Sequence, residues 1–161
     1  MKIFKQSRKV YLFAFIVIVL IGLGIRNTID NGKFYQFTNN NANLLVKADQ
    51  KSKVIWKLES GDSNVTYLFF NKHNQVLIAE DKADLNGIYK NPNNYSDDVG
   101  TYQNNGGEIT FNIKYDVVQV NIKIYNLKKV NSNKFKGVIE TDSESTSFKQ
   151  NATITKDGYI K

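Results

Sequence analysis

Few residues of this chain could do chemistry, and they are scattered. Among 161 residues His73 is the only histidine and there is no cysteine. Thiol catalysis, disulfides and thiolate metal sites are therefore excluded. One imidazole among carboxylates does not make a zinc site. His73 lies in "NKHN" (71–74), a turn sequence, with no legible partner to orient it as a base, and is expected to be an exposed turn residue. The serines form neither a G-x-S-x-G elbow nor an S-x-x-K pair, and Ser143 and Ser145 sit among acids that would not activate a nucleophile. Gly106-Gly107 is not followed by the Lys-Ser/Thr of a phosphate loop and reads as a turn.

Carboxylates gather in "EDKADLNG" (80–87) and "YSDD" (95–98). The first puts its glycine out of step with a calcium-binding D-x-[DN]-x-[DN]-G loop. Asp97, Asp98 and Glu108 would make a glycosidase-type pair only if folding set two of them at the separation that reaction needs. No cofactor, no metal and no enzymatic activity are expected. What remains is material for recognition. Tyr89, Tyr95 and Tyr102 flank the long loop 91–98, which also carries Asp97 and Asp98. Tyrosine with asparagine in a loop suits contact with protein or sugar, so these five residues are the candidate partner-binding group. The competing role for tyrosine on strands is core packing.

The elements that would position this group are strands. From residue 44 onward the apolar period is two rather than 3.6. "KVIWKLE" (53–59) puts Val54, Trp56 and Leu58 on one face, and "NVTYLFF" (64–70) alternates Val65, Tyr67 and Phe69, with Ser60–Ser63 supplying a turn. "QVLIAE" (75–80), a short "NGIYK" (86–90) and "VGTYQ" (99–103) follow, with the only proline in the loop between the last two. "EITFNIKY" (108–115) and "VQVNIKIY" (118–125) alternate cleanly; "KFKGVIE" (134–140) and "TSFKQNATIT" (146–155) complete the series. No long helical period is evident, although 79–86 has room for a helical turn. The expected fold is all-β, a small antiparallel barrel or sandwich of about eight strands. The expected core is Trp56, Leu58, Tyr67, Phe69, Val76, Ile78, Ile109, Phe111, Ile113, Val120, Ile122, Ile124, Phe135, Val138 and Phe148.

Ahead of this domain runs "VYLFAFIVIVLIGLGI" (10–25), sixteen residues without a charge. As a helix it is about 24 Å long, short for a bilayer core of about 30 Å but extendable by snorkelling of Lys9 and Arg26. Gly22-Leu23-Gly24 is a poor cleavage site, so an uncleaved signal anchor is expected. Lys2, Lys5, Arg8 and Lys9 precede the run, which keeps the N-terminus cytoplasmic and exports the rest. The expected organisation is a tail (1–9), a transmembrane anchor (10–25), an Asn-rich stalk (26–43) and an extracytoplasmic β-domain (44–161). The flanks also explain the net charge of +7. Residues 27–161 hold seventeen lysines, no arginine and fifteen acids, an excess of only two. Without arginine or an evident basic stripe, nucleic acid is not an expected partner. The expected partners are the membrane, through residues 10–25, and a protein of the envelope or of a phage.

Two resemblances add to this. Trp56, Phe70 with Val76, Gly100 with Tyr102, Ile109 with Phe111, and Phe135 with Gly137 follow an order similar to that of small lipocalin-like β-domains of exported bacterial proteins. It covers about residues 54–140, with Val54 and Asn74 standing where those domains carry glycine. The resemblance implies a fold type and a binding role rather than a particular ligand; the alternative function it raises is a lipocalin-like binder of a small apolar ligand. The overall plan of short anchor and small exported domain also resembles that of prophage-encoded superinfection-exclusion proteins of Gram-positive lactic-acid bacteria. That likeness implies a role in blocking phage DNA entry.

Overall fold

The computed structural model describes residues 41–61, 64–115, 118–143 and 146–161. The expected tail and anchor, and the expected stalk up to residue 40, lie outside the described residues. The chain divides into one unit of residues 1–33 and another of 34–161, and the described residues belong to the second. No helix among them is long and apolar enough to cross a membrane.

Eight strands follow in order: β1 (Val54–Ser60), β2 (Asn64–Phe70), β3 (Gln75–Ala79), β4 (Val99–Asn104), β5 (Glu108–Tyr115), β6 (Val118–Asn131), β7 (Lys134–Asp142) and β8 (Ser147–Tyr159). Each pairs antiparallel with the next, and β8 returns to pair with β1, Val54 opposite Tyr159 and Leu58 opposite Ile154. The result is a closed up-and-down barrel, not a sandwich. Closure leaves no strand edge free to recruit another chain.

An eight-stranded barrel is just wide enough to be filled by its own side chains, and this one is filled by large ones. Trp56, Phe70, Phe111, Ile109, Ile113 and Ile124 are each under 2 % exposed. The Trp56 and Phe135 rings meet edge to face at 5.7 Å, and Phe70 meets Tyr102 at 5.2 Å and Phe111 at 6.2 Å. Such pairs add about 0.5–1.5 kcal/mol each beyond area burial.

Two helices depart from the expected all-strand reading. Helix α1 (Ala42–Ser52) straddles the expected stalk boundary and leads through Lys53 into β1. Ala42, Leu45 and Val46, spaced i, i+3, i+4, are buried in the barrel core, so α1 stoppers one end. Lys53 takes a left-handed φ of 51°, which turns the chain from helix into strand. Helix α2 (Lys82–Lys90) occupies the stretch in which "NGIYK" was expected to be a strand. Its start is set by Asp81, whose carboxylate accepts a hydrogen bond from the Asp84 amide at 2.8 Å, an N-cap.

Helix α2 has a face to cover. Leu85 and Ile88 pack with Ile55, Phe69, Leu77, Ala79 and Ile160 in a second cluster on the outside of β1–β3, with Tyr67, Tyr89 and Val99 at its margin. This corrects the expected face of β2. Leu68 and Phe70 point into the barrel, and Tyr67 and Phe69 point out. Four apolar residues in a row, "YLFF" and then "VLIA", mark strands buried on both faces, where alternation carries no information. Phe148, expected in the core, is only half-buried.

Candidate interaction surface

The expected partner-binding residues do not form one constellation. Tyr95, Asp97 and Asp98 share a short connection made of two 3-10 turns, Pro92–Asn94 and Ser96–Asp98. The Tyr95 amide donates to Pro92 O at 3.1 Å and the Asp98 amide to Tyr95 O at 3.0 Å, so the connection is internally braced. Tyr95 is 41 % exposed, and Asp97 and Asp98 are half-buried beside it. Tyr89 lies at the end of α2, where its ring meets Phe69 edge to face at 5.5 Å and Lys53 Nζ stands 5.0 Å from the ring centre. Half of Tyr89 therefore belongs to the outer apolar cluster. Tyr102 is 4 % exposed and points into the barrel, its hydroxyl donating to Asn71 O at 3.0 Å. Of the five, only Tyr95, Asp97 and Asp98 share one connection, Tyr95 exposed and the two aspartates half-buried.

His73 is exposed in the β2–β3 turn, as expected. The Asn71 carboxamide oxygen organises that turn by accepting from the amides of His73 at 2.8 Å and Gln75 at 3.0 Å. Glu108 is bound by Lys123 at 2.8 Å and by Asn105 at 2.9 Å. These donors, Lys123 first, hold its carboxyl below the usual glutamate range, while Glu108 raises Lys123 in return. Glu108 is thus an ionised, occupied carboxylate at neutral pH. No group of three or more metal-ligating side chains occurs among the described residues.

Two further features were not anticipated. The first is an open cleft of about 320 Å³ between the stopper helix and the barrel wall, lined by Val46, Asn74, Tyr102, Gln103 and Asn104. Helix α1 is tied to the barrel by polar bridges, Asn104 Nδ2 donating to Asn43 Oδ1 at 2.9 Å and Asn41 Nδ2 to Leu127 O at 2.9 Å. The second is the β6–β7 hairpin, which carries Lys128, Lys129, Lys134 and Lys136 around an exposed Val130. The signal for it was in the sequence: "NLKKVNSNKFK" (126–136) has four lysines and no acid. Acids elsewhere in residues 27–161 nearly balance these lysines, so the net charge of the domain does not show the cluster.

No family description matches this chain, and no characterised protein or solved structure matches it either.

Proposed function

We propose that this protein is a membrane-anchored, extracytoplasmic, non-enzymatic binding module of the cell envelope, acting by contact with an envelope or phage protein. The observation that supports this reading is the filled barrel. Trp56, Phe70, Phe111 and Phe135 occupy its middle and Leu45 stoppers one end, so recognition falls to the outer surface. The braced Tyr95–Asp97–Asp98 connection is one such surface, an exposed ring beside two carboxylates. Superinfection exclusion is the form of this activity that the chain's plan suggests: the domain would sit where phage DNA crosses the membrane. Cells expressing the chain should adsorb phage and fail to take up its DNA. Replacing Tyr95 with Ala together with D97N and D98N should restore uptake without unfolding the domain. Normal DNA injection into cells expressing the intact chain would sink the exclusion reading.

A second reading, a lipocalin-like binder of a small apolar ligand, is favoured by the closed eight-stranded up-and-down order. It requires ligand to displace interior side chains. Quenching of the single tryptophan, Trp56, on titration with a fatty acid would support it, and an unchanged spectrum would remove it.

A further inference from the structure

The β6–β7 hairpin is built to present lysines around one apolar residue. Its base is rigid. Asn126 adopts a left-handed φ of 52° at a shift in the β6–β7 register, and the next residue, Leu127, is fully buried in the core. Gly137 opposite leaves the room: a Cβ there would lie 2.9 Å from Leu127 Cδ2. Beyond this base Lys128 stands directly opposite Lys136. Lysines set side by side in this way concentrate positive potential at the hairpin. A second register shift, between Lys129 and Asn131, makes Val130 the extra residue of a bulge. Bulges re-aim side chains, and Val130 is 50 % exposed. Lys156 joins the patch, its amide donating to Asn133 O at 2.8 Å, and its ammonium bonds the hydroxyl of Tyr159, itself 50 % exposed. Asp157, next to Lys156 in the chain, is engaged by Lys82 at 3.3 Å.

We infer that this hairpin docks on an anionic phospholipid surface, Val130 and Tyr159 entering the headgroup layer while Lys128, Lys129, Lys134 and Lys156 contact lipid phosphates. Charge and shape both suit this occupant. Long lysine side chains reach anionic headgroups around a small apolar anchor, whereas nucleic acid favours arginine and a groove. Chain connectivity points the same way. Asn41, bonded to Leu127 O at the base of the hairpin, is fifteen residues from Arg26 at the end of the apolar run. Even fully extended, that is about 50 Å of chain. The inference rests on the membrane-anchored reading and adds what the exported domain touches.

The absence of cysteine allows a clean test. The full chain carrying V130C, labelled with an NBD fluorophore, is reconstituted into phosphatidylcholine vesicles with and without phosphatidylglycerol. The expected result is a blue-shifted, quencher-protected label only when phosphatidylglycerol is present, reversed by high salt. K128Q/K129Q/K134Q/K156Q should abolish the shift, at about fivefold in the buried-to-exposed ratio per lysine, and the corresponding Lys→Arg variant should keep it. Circular dichroism confirms that each variant is folded. A label equally exposed in both vesicles, or equally buried in both, overturns the inference, and so does an equal shift with duplex DNA alone. Extraction of the chain from vesicles by alkaline carbonate would instead defeat the anchor reading, and it is scored separately from the label.

Discussion

The Tyr102 hydroxyl donates a hydrogen bond to the Asn71 carbonyl oxygen at 3.0 Å, tying β4 to the turn between β2 and β3. The same ring packs edge to face on Phe70 at 5.2 Å. One residue thus joins the interior of the barrel to a turn at the end stoppered by α1. Tyr102→Phe keeps the ring and loses the bond, and should cost about 1 kcal/mol. Tyr102→Ala should cost about 3–5 kcal/mol, as for other large aromatic truncations. Urea denaturation of the three proteins checks both values. Loss of partner binding in Y102F at unchanged stability would contradict the core role.

Gly100 should tolerate no side chain. A Cβ there would run into the backbone carbonyl of Asn112 on β5 and lie 3.2 Å from Val76 Cγ1. Backbone in a closed barrel cannot yield as a side-chain tip can. Gly100→Ala should therefore lose at least about 3 kcal/mol or fail to fold. Gly158 provides the contrast. It has open space and a φ of +128°, so Gly158→Ala should show backbone strain without a clash, about 1–3 kcal/mol. Thermal melts of the pair compare steric clash with strain.

The Glu108–Lys123 pair should make stability fall at both extremes of pH. Lys123, the first cause, pulls Glu108 below the ordinary 4.5, so the folded state binds fewer protons than the unfolded chain near that pH. Its contribution is present above the ordinary glutamate value and disappears as pH falls through the depressed one. Lys123 is raised above 10.5, chiefly by Glu108, so its contribution is complete below 10.5 and disappears as pH rises through the raised value. Both side chains are partly exposed, 40 % and 29 %, so the effect should be small and screened by salt. Denaturation midpoints of E108Q and the parent between pH 3 and 8, at low and high salt, should converge at low pH.

The stopper helix should be stabilised by one face alone. Leu45 is fully buried at the barrel end, whereas its neighbour Leu44 is 45 % exposed. Leu45→Ala should cost about 2–5 kcal/mol, and Leu44→Ala less than about 0.5 kcal/mol. Amide hydrogen exchange of α1 should accelerate in the first variant and stay near the parent rate in the second.

How legible these features were depended on whether a strand has one buried face or two. In β5, Ile109, Phe111 and Ile113 alternate with wet residues, and all three point into the core as their period demands. In β2 and β3 the runs "YLFF" and "VLIA" lack that alternation, so the period cannot tell which face is inward, and the structure turns Tyr67 and Phe69 outward. The capping signal of α2 was present in Asp81 and the spacing of Leu85 and Ile88, but Gly87-Ile88-Tyr89 reads equally well as strand. Of the candidate site, the loop carrying Tyr95, Asp97 and Asp98 was recognisable from its composition. The inward turn of Tyr102 was not, because a tyrosine on a strand suits either face.

By itself the sequence determined the strand-rich class, the positions of most turns, the lack of cysteine and the concentration of positive charge around residues 10–25. These are local properties, written in periodicity and composition. Only the tertiary structure decided that the sheet closes β8 onto β1, that α1 fills one end and that α2 covers the outside of β1–β3. Those outcomes depend on contacts between residues far apart in the chain, such as Leu58 with Ile154 or Asn41 with Leu127. They follow from how much apolar surface is left uncovered once the strands have formed, and no local window of sequence contains that quantity.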